Sequence, residues 1–184
     1  MKAKLFLVLI ACLFVSGNGF AVATEVNRGP IRARTFSFVT RTSKPDSTIA
    51  DNREAVHKMV QNAITRNLAA RGVNRVDSRG DVTVAYLIIK GDNVSTEAIR
   101  DYFGYREDTG KLHDKAHKAY TRSKNPNRFE AGTLLIDVID GKNFKLLKRG
   151  YTTRPIAPNL SANARAARIQ EGVDEILSDS RFKQ

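Results

Sequence analysis

The N-terminal 23 residues decide where this chain folds, and so what can hold the fold together. Lys2 and Lys4 give a positive start, Leu5 to Val15 is an unbroken apolar run, and Ser16-Gly17-Asn18-Gly19 ends it. Ala21-Val22-Ala23 follows, with small residues at the two positions that signal peptidase reads, so the expected cut falls between Ala23 and Thr24. An eleven-residue apolar run is too short to span a bilayer as a helix. Residues 1–23 therefore read as a cleavable signal peptide, and residues 24–184 as a single domain that works in the periplasm. A rival reading makes Leu9-Ile10-Ala11-Cys12 a lipobox with Cys12 lipidated. It is the weaker of the two, because it leaves a very short signal and puts Leu13-Phe14-Val15 where a polar tether is usual.

Cys12 is the only cysteine of the chain. A product trimmed after Ala23 has no disulfide, no thiol nucleophile and no thiolate metal ligand, so its fold rests on a packed core. Two lysines leave with the signal, which takes the formal charge from +12 to +10. Such an excess draws a protein towards anionic surfaces without naming one. In an envelope those are lipid and lipopolysaccharide phosphates or an acidic partner protein; nucleic acid is less available there.

Alternation of Phe36 and Phe38 predicts a first strand over 35–40. Asp51 with Glu54 three residues on suggests a capping box, and Val56, Val60, Ile64 and Leu68, widened by Met59 and Ala63, form one helical stripe. Gly72 stands where a left-handed residue ends such a helix. A short strand over 73–76 precedes a stronger one over 82–89. In the latter Val82, Val84, Tyr86 and Ile88 share one face, Ala85, Leu87 and Ile89 lie on the other, and both faces are apolar. Residues 91–130 form a long irregular loop. Two strands, 133–139 and 145–154, flank Asp140-Gly141-Lys142-Asn143 as a hairpin. After Pro158, residues Ala162, Ala166, Ile169, Val173 and Ile176 keep helical spacing, and the last seven residues, polar apart from Phe182, are expected to fray. The expected class is α+β: an antiparallel sheet of four to five strands with two amphipathic helices packed on one face.

Several of these segments carry a family resemblance. Leu68-Ala69-Ala70-Arg71-Gly72, Asp81-Val82-Thr83-Val84-Ala85-Tyr86, Gly132-Thr133-Leu134-Leu135-Ile136-Asp137-Val138-Ile139-Asp140 and Leu146-Leu147-Lys148-Arg149-Gly150 resemble the bacterial Domain of Unknown Function 4136 family. Its members are small exported proteins, many of them lipoproteins. The resemblance spans roughly residues 32 to 178, least in the long loop. It implies a fold and a compartment and brings no catalytic residues with it. Two departures stand out. Lys148 occupies the place usually taken by tryptophan, which removes the footing for a partner surface built on that aromatic. A peptidase site replaces the usual lipobox, which implies an untethered member.

The residues offer little catalytic chemistry. His113 and His117 are four apart, a spacing that suits a metal pair on a helix. Asp114 stands where a zinc protease has glutamate, and Lys111, Lys115 and Lys118 crowd the same turns. Gly104 to Lys111 fails as a phosphate loop, with one residue too many between its glycines and Leu112 in place of the hydroxyl residue. Asp137 and Asp140 fall on opposite sides of a strand. Asp140 suits the turn, and Asp137 is placed to accept a cross-strand partner such as Arg149. The strongest binding candidate is the run Lys111, Lys115, Lys118, Arg122, Lys124 and Arg128, with Tyr102 and Tyr105 nearby, where cations grip phosphates beside aromatic faces. The expected function is a non-enzymatic envelope protein without a cofactor, at most peripherally membrane-associated, that binds an anionic component or partner protein. The alternatives are a metal hydrolase built on His113 and His117, or a secreted nucleic-acid binder.

Overall fold

Three runs rich in branched residues become neighbours in the middle of a sheet. The computed structural model describes residues 21–25, 29–39, 50–51, 53–91, 94–95, 128–143 and 145–183. In chain order the elements are β1 (Ala21–Glu25), β2 (Ile31–Arg32), β3 (Thr35–Phe38), α1 (Glu54–Ala69), β4 (Asn74–Arg75), β5 (Val82–Ile88) and β6 (Val94–Ser95). They continue with β7 (Arg128–Phe129), β8 (Thr133–Asp140), β9 (Leu146–Thr153), α2 (Ala162–Leu177) and β10 (Phe182–Lys183). The main sheet has six strands in the order β1-β9-β8-β5-β3-β4.

The α+β class holds, but the sheet is mixed rather than antiparallel. β9, β8 and β5 pair antiparallel, whereas β3 runs parallel to both β5 and β4. The cause is the connection: α1 lies between β3 and its two partners, and a helical crossover returns the chain in the same direction. The sheet also exceeds the expected four to five strands, because β1 adds itself to the free side of β9.

Both helices pack on one sheet face. Val60, Ile64 and Leu68 of α1 and Val173, Ile176 and Leu177 of α2 meet Val82, Val84, Tyr86, Ile136 and Val138 in one core. Gly72 has φ +78° and ends α1 as expected. The expected capping box does not form. α1 starts two residues late, with Arg53 at the N-cap and no side-chain cap. Asp51 is occupied by Arg53, whose backbone N–H and guanidinium both donate to it.

The second sheet face is buried too: Ala85, Leu87, Ile89, Leu135, Asp137 and Arg149 are each at most 2% exposed. Within that face lies an ion pair. Arg149 Nε and Nη2 donate to the two Asp137 oxygens at 2.7 and 2.6 Å, across directly paired positions of β8 and β9. Two parallel charge-assisted bonds fix geometry as well as charge. Slipping the hairpin by one residue would turn Arg149 and Asp137 to opposite faces. Lys148, on the helix-side face, is 1% exposed, so the position that usually holds tryptophan is interior and not part of any surface.

Other resemblance-bearing residues are also structural. Asp81 Oδ2 accepts from the N–H groups of Arg34 and Thr35 and from Thr35 Oγ1, tying the start of β5 to β3. Tyr86 OH accepts from Gln61 of α1 at 3.1 Å. Asp140 Oδ1 accepts from the N–H groups of Lys142 and Asn143, closing the hairpin turn as expected. Gly132 has φ +88°, and a Cβ there would collide with the Arg154 carbonyl. The described C-terminal residues do not fray: β10 pairs parallel with β2, and Phe182 packs on the core. The long loop starts and ends as a ribbon, with Val94 opposite Phe129 and Ser95 opposite Arg128.

Removing one member of the buried pair, as in Asp137→Ala, leaves an uncompensated charge and should cost about 3–5 kcal/mol in denaturant unfolding. The double change Asp137→Leu/Arg149→Met should lose much less, which separates burial of an orphaned charge from loss of the pair itself. Gly150→Ala should cost about 1–3 kcal/mol, because its Cβ would lie 2.7 Å from Ile176 Cγ2.

Candidate functional site

α2 keeps helical spacing along its whole length, yet only its second half is buried: Gly172, Val173, Ile176 and Leu177. Its first half stands off the sheet, and a cavity of about 180 Å³ lies beneath it. Val56 and Val60 from α1, Ile88 from β5, Leu134 from β8 and Ile169 from α2 form its apolar walls. The segment 155–160, which carries the exposed Ile156, closes one side.

The mouth is cationic. Arg53, Lys90, Arg154, Arg165 and Arg168 line it against one carboxylate, Asp51. Two of these arginines are neutralised. Arg53 pairs with Asp51 at 2.5 Å, and Arg154 bridges Glu171 and Glu175 at 2.9 and 3.2 Å. Burial alone would lower the Arg154 pKa, but the hydrogen bonds it donates to the two glutamates outweigh that and hold the guanidinium above its ordinary value. Burial likewise opposes ionisation of Asp51, and the Arg53 hydrogen bonds overcome it, keeping that carboxyl below its usual range. Lys90, Arg165 and Arg168 meet no carboxylate among the described residues. Arg165 Nη2 donates to the Pro158 and Leu160 carbonyls, and Arg168 Nη2 to the Pro155 carbonyl. Those neutral partners fasten the 155–160 segment to α2 while leaving both positive charges uncompensated.

The hydroxyls on the lining are committed. Thr133 Oγ1 contacts the Glu130 carbonyl and Thr153 Oγ1, and Thr152 Oγ1 donates to Glu175. The lining thus offers guanidinium and ammonium donors over apolar walls, an arrangement chemically suited to an anion. Among the described residues no group of histidine, cysteine, aspartate and glutamate is placed to hold a metal ion.

The residues expected from the sequence fall elsewhere. Tyr102, Tyr105, Lys111, Lys115, Lys118, Arg122 and Lys124 lie outside the described residues, as do His113 and His117. Arg128 is in β7, opposite Ser95. Phe129 is buried, its ring edge-on to Tyr151 at 5.1 Å, and so is not free to stack on a ligand. Ala21, Ala23 and Thr24 lie in β1, opposite Thr152, Gly150 and Arg149. A peptidase needs an unpaired strand, so cutting there and pairing of residues 21–23 are alternatives. Sequence reading missed the cavity; its one available signal was Arg165 and Arg168 flanking the apolar stripe of α2.

A family model described as "Domain of unknown function (DUF4136)" matches residues 25–180. The chain belongs to that family. No curated protein sequence matches it. Among solved structures it is similar to the PelC dodecamer from Paraburkholderia phytofirmans, at 9% identity over 91% of this chain and all of that one, with a TM-score of 0.50. A single-substitution variant of the same dodecamer matches at 11% identity over the same shares, with a TM-score of 0.48. At 9% identity the PelC likeness is one of fold. The DUF4136 family match and the resemblance-bearing residues agree, since those residues hold the sheet and its turns.

Because the folded Asp51 carboxyl lies below its ordinary value of 3.8, it contributes stability that is complete above that value and fades as pH falls through the depressed one. Asp51→Asn should therefore lower the urea midpoint at neutral pH and match the parent protein at the acid end. A gap that persists unchanged into strong acid would contradict this assignment.

Proposed function

We propose that this DUF4136 protein is exported, trimmed before Thr24, and serves in the periplasm as a non-enzymatic binder of an anionic envelope component. The observation that carries the reading is the mouth of the cavity, where Lys90, Arg165 and Arg168 present charge with no described carboxylate to neutralise it. A phosphate held there accepts charge-assisted hydrogen bonds from guanidinium groups already oriented by backbone carbonyls, so little ordering is lost on binding. The basic run from Lys111 to Arg128 adds longer-range attraction to the same ligand class.

Two measurements test this. Osmotic-shock extracts should contain a product whose N-terminal residue is Thr24; an intact leader in cytosolic extract would refute export. Purified 24–184 should float with vesicles rich in anionic phospholipid and stay behind with zwitterionic ones. Binding should weaken at least tenfold between about 0.05 and 0.5 M salt. Replacing Arg165 and Arg168 together by alanine should weaken flotation comparably at low salt. Equal binding to both vesicle types, or no effect of the double substitution, would refute the rim as the anion site.

A further inference from the structure

We infer that the cavity under α2 receives the alkyl tail of an anionic single-chain amphiphile whose headgroup sits on Arg165 and Arg168. The inference rests on the anion-binding reading of the rim and extends it to the space behind the rim. A site for a bare phosphate needs donors only. This one has behind its donors a cavity of about 180 Å³, walled by Val56, Val60, Ile88, Leu134 and Ile169. A cavity lined by aliphatic side chains stays dry and takes an apolar guest; one of about 150 Å³ accommodates benzene. By that measure this cavity holds a chain segment on the order of six to eight carbons.

Charge and shape select the same ligand. Arg165 uses Nη2 on two carbonyls of the 155–160 segment and Arg168 uses Nη2 on one, and their other guanidinium N–H groups donate to no acceptor among the described residues. A head anchored by those groups lies beside the 155–160 segment, where Ile156 is 55% exposed and offers apolar surface to the first carbons of a tail. A neutral alkane would leave the uncompensated cations unused, and a hydrophilic anion would leave the walls unused. An anionic amphiphile engages both.

The test is calorimetric binding of n-alkyl phosphates from ethyl to decyl, with 1-octanol as the neutral control, to the mature protein, each ligand held below its micelle concentration. Each buried methylene should tighten binding about fourfold. The gain should level off after about six to eight carbons, where the cavity is full. Val56→Phe, which fills the wall, should flatten the chain-length dependence. If that variant does not fold, the chain-length series on the unmodified protein decides. Affinity that is flat from ethyl to decyl overturns the tail site while the anion reading stands. Octanol binding as tightly as octyl phosphate, or no binding by any member, overturns both. A gain that continues undiminished to decyl phosphate overturns this cavity as the place of binding.

Discussion

The rest of the structure depends on the register of one hairpin, and that register is held by an ion pair inside the sheet. β8 and β9 sit with apolar residues on both faces, so hydrophobicity alone discriminates poorly between neighbouring registers. The bidentate contact of Arg149 with Asp137 removes the ambiguity, because only one alignment puts both side chains opposite each other on the same face. From it follow the positions of Leu134 and Thr152, which lie opposite one another and reach the cavity, and of Arg154, which closes its edge. An interaction at the centre of the sheet thus determines the shape of a site at its end.

The residues that make the DUF4136 family recognisable are largely the ones that make the fold. Asp81 ties β3 to β5, Tyr86 meets α1, Gly132 permits a turn against Arg154, Asp137 holds Arg149, and Asp140 closes the hairpin. A pattern built from such positions speaks of backbone geometry and packing and is silent about ligands. Lys148 fits this account, since the side chain standing in the tryptophan position is interior. The cavity walls and rim, by contrast, come mostly from residues outside those motifs.

The legible parts of the fold were local. The α1 stripe, its end at Gly72, the two-faced β5 and the hairpin with its Asp137–Arg149 contact all follow from spacing within a few residues or across one turn. Parallel pairing of β3 was not legible, because it depends on where a sixteen-residue helix returns the chain. β2 and β10 are two residues each, too short for alternation to register, whereas the short strand expected over 73–76 is β4. The cavity was not legible either: its lining comes from five stretches between Asp51 and Gly172 that only the tertiary fold brings together. In sequence, Arg165 and Arg168 look like ordinary solvated helix charges. What distinguishes them is the three carbonyl contacts that leave their charge uncompensated beside apolar walls.

The site joins two physical effects that are weak apart. Exposed guanidinium groups attract an anion, but solvent and salt screen that attraction. A small apolar cavity gains from filling, but without a fixed head it selects little. Together, on the reading proposed above, they bind and orient one kind of molecule. Nuclear Overhauser contacts between the terminal methyl of bound octyl phosphate and the protein's methyl groups test this most directly. The account predicts contacts to Val56, Val60 and Leu134, and none to Leu87 or Leu135 on the opposite sheet face. Contacts confined to that opposite face, or to no buried methyl at all, would contradict it.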